Sequence, residues 1–107
     1  MKKTIESIDF TKGNGIVPVI VQDANSKQVL TLAYTNKESL ELTKKTGNSW
    51  FWSRSRNKLW MKGEESGNTQ KVKEILVDCD SDALIYLVEP SGPACHTGEG
   101  TCFHNNM

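Results

Sequence analysis

Apolar residues along most of this chain come in short runs that alternate or cluster over five to seven positions, the spacing of strands. Val17-Pro18-Val19-Ile20-Val21-Gln22-Asp23 is β-branched and reads as a strand, with Pro18 near its start, where a missing N–H is tolerated. Asp23-Ala24-Asn25-Ser26 has turn chemistry, and Val29-Leu30-Thr31-Leu32-Ala33-Tyr34 supplies the second strand of a hairpin. Then the period changes. Thr35-Asn36-Lys37-Glu38 has the form of a capping box, and Ser39-Leu40-Glu41-Leu42-Thr43-Lys44-Lys45 continues it as a helix. Gly47 is the stop signal, which predicts one helix over about 36–46. Asn48-Ser49-Trp50-Phe51-Trp52-Ser53 is strand-like again, with Lys58-Leu59-Trp60-Met61-Lys62 as its hairpin partner across Arg54-Ser55-Arg56-Asn57. Gly63 to Gly67 is a loop, Val72–Val77 and Ala83–Val88 are two further strands, and the tail from Pro90 onward is Gly-rich and irregular. Six strands and one helix define an α+β, β-rich domain built on a small mixed or antiparallel sheet.

Composition narrows this picture. At 107 residues the chain is one domain, residues 1–107. Zero formal net charge and a pI near 6.7 argue against wholesale binding to nucleic acid or membrane surfaces. A mean hydropathy of −0.50 leaves little apolar material for one core, so self-association into a dimer is expected. The N-terminus, Met1 to Ser7, has no apolar run behind its lysines and reads as no signal peptide. The longest apolar stretch, Ala83 to Val88, is too short to cross a bilayer. A soluble, cytoplasmic protein is expected, and three cysteines in a reducing compartment favour thiolate ligands over disulfides.

The chemistry concentrates between residues 78 and 102. Asp78, Asp80 and Asp82 recur at period two, which in an extended segment would turn three carboxylates to one face and Cys79 to the other. Such a row favours a hard cation; the plain alternative is a polar turn between strands. An EF-hand fails, because its sixth position is Ala83 rather than glycine and Leu84 to Val88 reads as a buried strand. Cys79, Cys95 and Cys102 form a soft donor set suited to zinc, and three thiolates leave a tetrahedral ion one open position, as in catalytic sites. Gly98 and Gly100 allow a tight loop around the last two cysteines. His96 is a fourth ligand, a group beside bound water, or an ordinary loop histidine; His104 reads as incidental. The basic turn Ser53-Arg54-Ser55-Arg56-Asn57-Lys58, followed by Lys62 and set among Trp50, Trp52 and Trp60, suits a small phosphorylated ligand.

Taken together, Trp52-Ser53-Arg54-Ser55-Arg56, Leu59-Trp60, Lys62-Gly63-Glu64, Ser66-Gly67, Gln70, Asp78-Cys79-Asp80-x-Asp82 and Ala94-Cys95-His96-Thr97-Gly98 through Cys102-Phe103 resemble phosphoribosyl-AMP cyclohydrolase of histidine biosynthesis. The motifs match in order from about residue 17 to 103. The resemblance implies an intertwined homodimer with shared active sites, one zinc per subunit on Cys79 of one protomer and Cys95 and Cys102 of the other, and magnesium on Asp78, Asp80 and Asp82. It implies His96 beside the zinc as the catalytic group. Trp52, Ser53, Arg54, Ser55, Arg56, Lys62, Glu64 and Ser66 are then candidates for substrate contacts. Some members carry a second, pyrophosphohydrolase domain; a chain ending at Met107 is expected to be the stand-alone form. The implied reaction is hydrolytic opening of the adenine ring of 1-(5-phosphoribosyl)-AMP at N1–C6. Two rivals differ in class. A non-catalytic zinc-stabilised binding module would close the site with His96. A nucleobase deaminase would need His-x-Glu and Pro-Cys-x-x-Cys, both absent here.

Overall fold

In the computed structural model, residues 3–107 are described, and the reading of the N-terminus at Met1 and Lys2 lies outside them. A 3-10 turn at Ile5–Ser7 is followed by β1 (Val17–Asp23), β2 (Val29–Thr35), α1 (Lys37–Thr46), β3 (Trp50–Ser53), β4 (Lys58–Met61), β5 (Gln70–Val77) and β6 (Leu84–Pro90). The hairpin between β1 and β2 turns on Asp23, whose Oδ1 accepts from Asn25 N and Ser26 N at 2.8 and 3.1 Å. That side-chain turn is the reason the expected break falls there.

Four strands form one sheet in the order β2-β1-β6-β5, and β3 and β4 form a separate antiparallel hairpin. The sheet is mixed: β1 runs antiparallel to β2 and parallel to β6, and β5 and β6 are antiparallel. Local patterning cannot announce a parallel pair, since its two strands are joined by a long crossover. Here the connection holds β2, α1, the β3–β4 hairpin and β5.

One face of the sheet is the core. Val17, Val19 and Val21 of β1 and Leu84, Tyr86 and Val88 of β6 are buried under Leu40 of α1 and Phe51 of β3. The Phe51 ring lies 5.0 Å from Trp60 and 5.9 Å from Tyr86, so the hairpin is fastened to the sheet by aromatic contact. The other face is apolar and open. Leu32 pairs with Ile20, Ile20 with Ile85, and Ile85 with Leu76, a row across all four strands. Leu32 is 46% exposed, Leu76 39% and Ile20 38%.

The helix begins one residue later than the capping box predicts. Thr35 is still the last residue of β2, paired with Val17 and fully buried. Asn36, extended at φ −106°, is the N-cap, and its Oδ1 accepts from Ser39 N at 2.8 Å. Ser39 Oγ answers by accepting from Asn36 N at 2.8 Å. The box is therefore Asn36 with Ser39, not Thr35 with Glu38. Gly47 ends the helix as expected, at φ 78°.

Candidate active site

The three aspartates converge, and they do so in the polar turn that stands as the plain alternative to an extended row. Residues 78–82 are a turn joining β5 to β6, not an extended run, and Ser81 takes a left-handed φ of 63°. The turn is closed by Asp78 N donating to Ala83 O and Ser81 N donating to Asp78 O. Asp78 Oδ1 accepts from Asp82 N and Ala83 N at 2.9 and 3.1 Å, so this carboxylate shapes the loop that holds the other two. Oxygens of Asp78, Asp80 and Asp82 come within 4.8 Å of one another. Asp80 is held down to about 2 by hydrogen bonding with Asp82 and by the Lys12 ammonium. Asp82 is pulled down by Lys12, but the Asp80 and Asp78 carboxyls outweigh this and push it up. Hard oxygen donors in this arrangement fit a magnesium-like ion.

Cys95 and Cys102 meet at a different place. Cys95 N donates to Glu99 O and Gly98 N to Cys95 O, a turn that needs Gly98 at φ 93°. Cys102 N donates to Leu30 O at 2.7 Å and Thr101 Oγ1 to Val29 O, which pins the tail to β2. The Cys95 thiol is drawn down to about 6, first by the Thr97 hydroxyl at 3.1 Å, then by the Thr97 amide, with smaller contributions from His104 and Cys102. These hydrogen bonds favour the thiolate, the form that binds metal. Burial pushes the Lys62 ammonium down, and the nearby Cys102 acts against this.

Cys79 does not join them. It is exposed on the aspartate turn, and among the described residues the aspartates are the sole group of three donor atoms within such a distance. One chain thus gathers two soft donors in one place and carries the third elsewhere. His96 is exposed and takes no hydrogen bond among the described residues. His104 is closer than the sequence reading allows, its Nε2 3.9 Å from Cys95 Sγ. The spacing Cys102-x-His104 was the available signal.

The candidate substrate residues lie on the β3–β4 turn and the loop after it. Arg54 stacks over the Tyr34 ring at 3.8 Å, and Arg56 and Ser55 are exposed. Ser53 Oγ accepts from Arg56 N, Glu64 Oε1 from Met61 N, and Ser66 Oγ from Asn68 N, so these three shape backbone. Trp52 is half-buried on β3. Lys62 donates to Asn68 O at 2.9 Å. A cavity of about 560 Å³ opens between α1 and β5 beside Leu40, Lys44, Val72 and Ile75, and no cysteine lines it.

Comparison with known proteins places the domain among the hydrolases of histidine biosynthesis. The family model described as phosphoribosyl-AMP cyclohydrolase matches residues 31–104. The phosphoribosyl-AMP cyclohydrolase of Nitrosopumilus maritimus strain SCM1 is 79% identical over 107 residues, covering 100% of this chain and 99% of its own. That of Cenarchaeum symbiosum strain A is 77% identical with the same coverage. The histidine biosynthesis bifunctional protein of Bacillus subtilis strain 168 is 68% identical over 94% of this chain and 48% of its own length. The chain belongs to the phosphoribosyl-AMP cyclohydrolase family, and it is an enzyme of that kind.

Proposed function

We propose that this enzyme opens the adenine ring of 1-(5-phosphoribosyl)-AMP at the N1–C6 bond, as a homodimer with shared sites. Each site would take Cys95 and Cys102 from one protomer and Cys79 from its partner to hold one zinc, with magnesium on Asp78, Asp80 and Asp82. The observation that carries this reading is the half-site: two thiols together, one poised as thiolate, and the third on another loop. The open apolar row Leu32-Ile20-Ile85-Leu76 supplies a face for the second copy. Family membership favours catalysis over the closed binding module.

Hydrolysis adds water across N1–C6: oxygen ends on C6, which becomes a carboxamide, and N1 takes a proton. Zinc, when bound, supplies acidification of water, from 15.7 toward about 7 in well-studied sites. His96, exposed next to Cys95, is available to take a proton at a ring nitrogen and deliver it to the leaving side. Arg56 and Lys58, exposed on the basic turn, offer donors to substrate phosphates, and Trp52 a face for the base. Arg54 is already engaged on Tyr34 and would leave that ring to reach a phosphate. No helix of the described residues is long and apolar enough to cross a membrane, and a cytoplasmic place rests on the pathway's chemistry.

Mixing two inactive variants tests the shared site. C79S and C102S should each lose ring-opening activity, followed by absorbance on zinc-loaded protein. Unfolded and refolded together, they should regain up to roughly a quarter of wild-type turnover, because half the dimers are mixed and each has one intact site. No recovery, with mixed dimers present, would place all three ligands in one protomer.

A further inference from the structure

The aspartate turn already carries a cation, and the chain itself provides it. Lys12 Nζ lies 3.2 Å from Asp80 Oδ2 and 3.0 Å from Asp82 Oδ2, bridging two of the three carboxylates. The loop that brings it is anchored. Asp9 N donates to Ser81 O at 2.7 Å, tying the loop's start to the aspartate turn. Asp9 Oδ1 accepts from Thr11 N at 2.9 Å and from the Thr11 hydroxyl, which curls the backbone just before Lys12. Gly15 N donates to Phe10 O at 2.7 Å and closes the loop behind it. From the other side, Lys3 Nζ donates to the carbonyls of Asp78 and Cys79 at 3.0 and 3.2 Å and to Ser81 Oγ at 2.7 Å. One lysine holds the carbonyls of the turn while another holds its carboxylates. Both precede residues 31–104, the stretch that matches the family model.

Three carboxylates this close repel one another, and a counter-charge relieves the repulsion. An ammonium on a flexible stem is a weak occupant, since exposed ion pairs contribute little. A divalent ion brings twice the charge and binds the same carboxylate oxygens directly. We propose that Lys12 is a built-in counter-ion of the aspartate turn: it occupies the carboxylates in the metal-free protein, is displaced when a divalent cation binds, and so sets the site's cation affinity. This rests on the reading of Asp78, Asp80 and Asp82 as a divalent-cation site. Ion and ammonium compete for Asp80 and Asp82, so removing the ammonium tightens the ion.

The test is Mn²⁺ binding to the full-length protein without substrate, read from the electron paramagnetic resonance signal of the free ion at low salt. K12Q should bind Mn²⁺ about three- to tenfold more tightly than wild type, the scale of two exposed ion pairs. K12R keeps the charge and should stay within about twofold of wild type. K73Q removes the Lys73–Glu89 pair at 3.7 Å, away from the turn. It should also change affinity by less than about twofold, which separates a local contact from net charge. Unchanged or weaker binding in K12Q, with binding abolished in D80N, would overturn the role of Lys12 and leave the cation site standing. Absence of any D80N-sensitive Mn²⁺ binding, in wild type and K12Q alike, would remove site and counter-ion together.

Discussion

At Cys95 the hydroxyl of Thr97 leads several groups that favour the thiolate of a buried sulfur. Burial pushes the thiol up, but the Thr97 hydroxyl at 3.1 Å leads the groups that pull it from 9.0 down to about 6. Thr97→Val keeps the shape and removes the donor, so the Cys95 thiol should titrate closer to its ordinary value. The check is thiolate absorbance near 240 nm against pH in metal-free protein, where an unmoved midpoint would discharge Thr97 from this role. The sign for stability follows. The folded value lies below the unfolded one, so in the metal-free protein this thiol's stabilising contribution is full above about pH 9 and is lost as pH falls through about 6. The cysteines, aspartates and His96 were legible as candidates because their residue types carry the chemistry. Thr97 and Lys12 were not, because hydroxyls and lysines mean nothing until something stands opposite them.

Among the elements, strand positions followed from β-branched runs, and turns followed from Asp23 and Gly47. The start of α1 moved by one residue for a tertiary reason. Thr35 remains in the β1–β2 ladder opposite Val17, and its hydroxyl bonds Asn36 O and Ser39 Oγ rather than a helix amide. Asn36→Ala should cost about 1 kcal/mol, the usual loss for an N-cap side chain. Glu38→Ala should cost much less, since its side chain closes no box here. Urea midpoints for both variants measure this, and equal losses would restore the cap the sequence favours. The aspartate turn teaches the same lesson. Period two suits an extended row, yet the carboxylates converge because Asp78 folds the loop back by accepting from the amides of Asp82 and Ala83.

For the molecule as a whole, the decisive surface is the open face of the sheet. Leu32, Ile20, Ile85 and Leu76 lie side by side only because β1 runs parallel to β6 and β6 pairs with β5. Replacing Leu32, the most exposed member of the row, with Glu puts a charge into any contact made there. The proposed dimer should become a monomer by light scattering after size exclusion, with circular dichroism unchanged and zinc content reduced. A dimer that persists with its zinc would place the interface on another face.

What the sequence determined by itself is the inventory and the local grammar: which residues can ligate, which runs extend, where the chain turns, and, through its ordered motifs, the family. These depend on residue type and on neighbours a few positions away, which the linear chain states directly. Tertiary structure decided who meets whom. It paired β1 with β6 across more than sixty intervening positions of the chain, set Cys95 beside Cys102 but apart from Cys79, and brought Lys12 onto Asp80 and Asp82. Those meetings depend on how packed layers bring distant segments together, and no local pattern encodes a distance between residues so far apart in sequence.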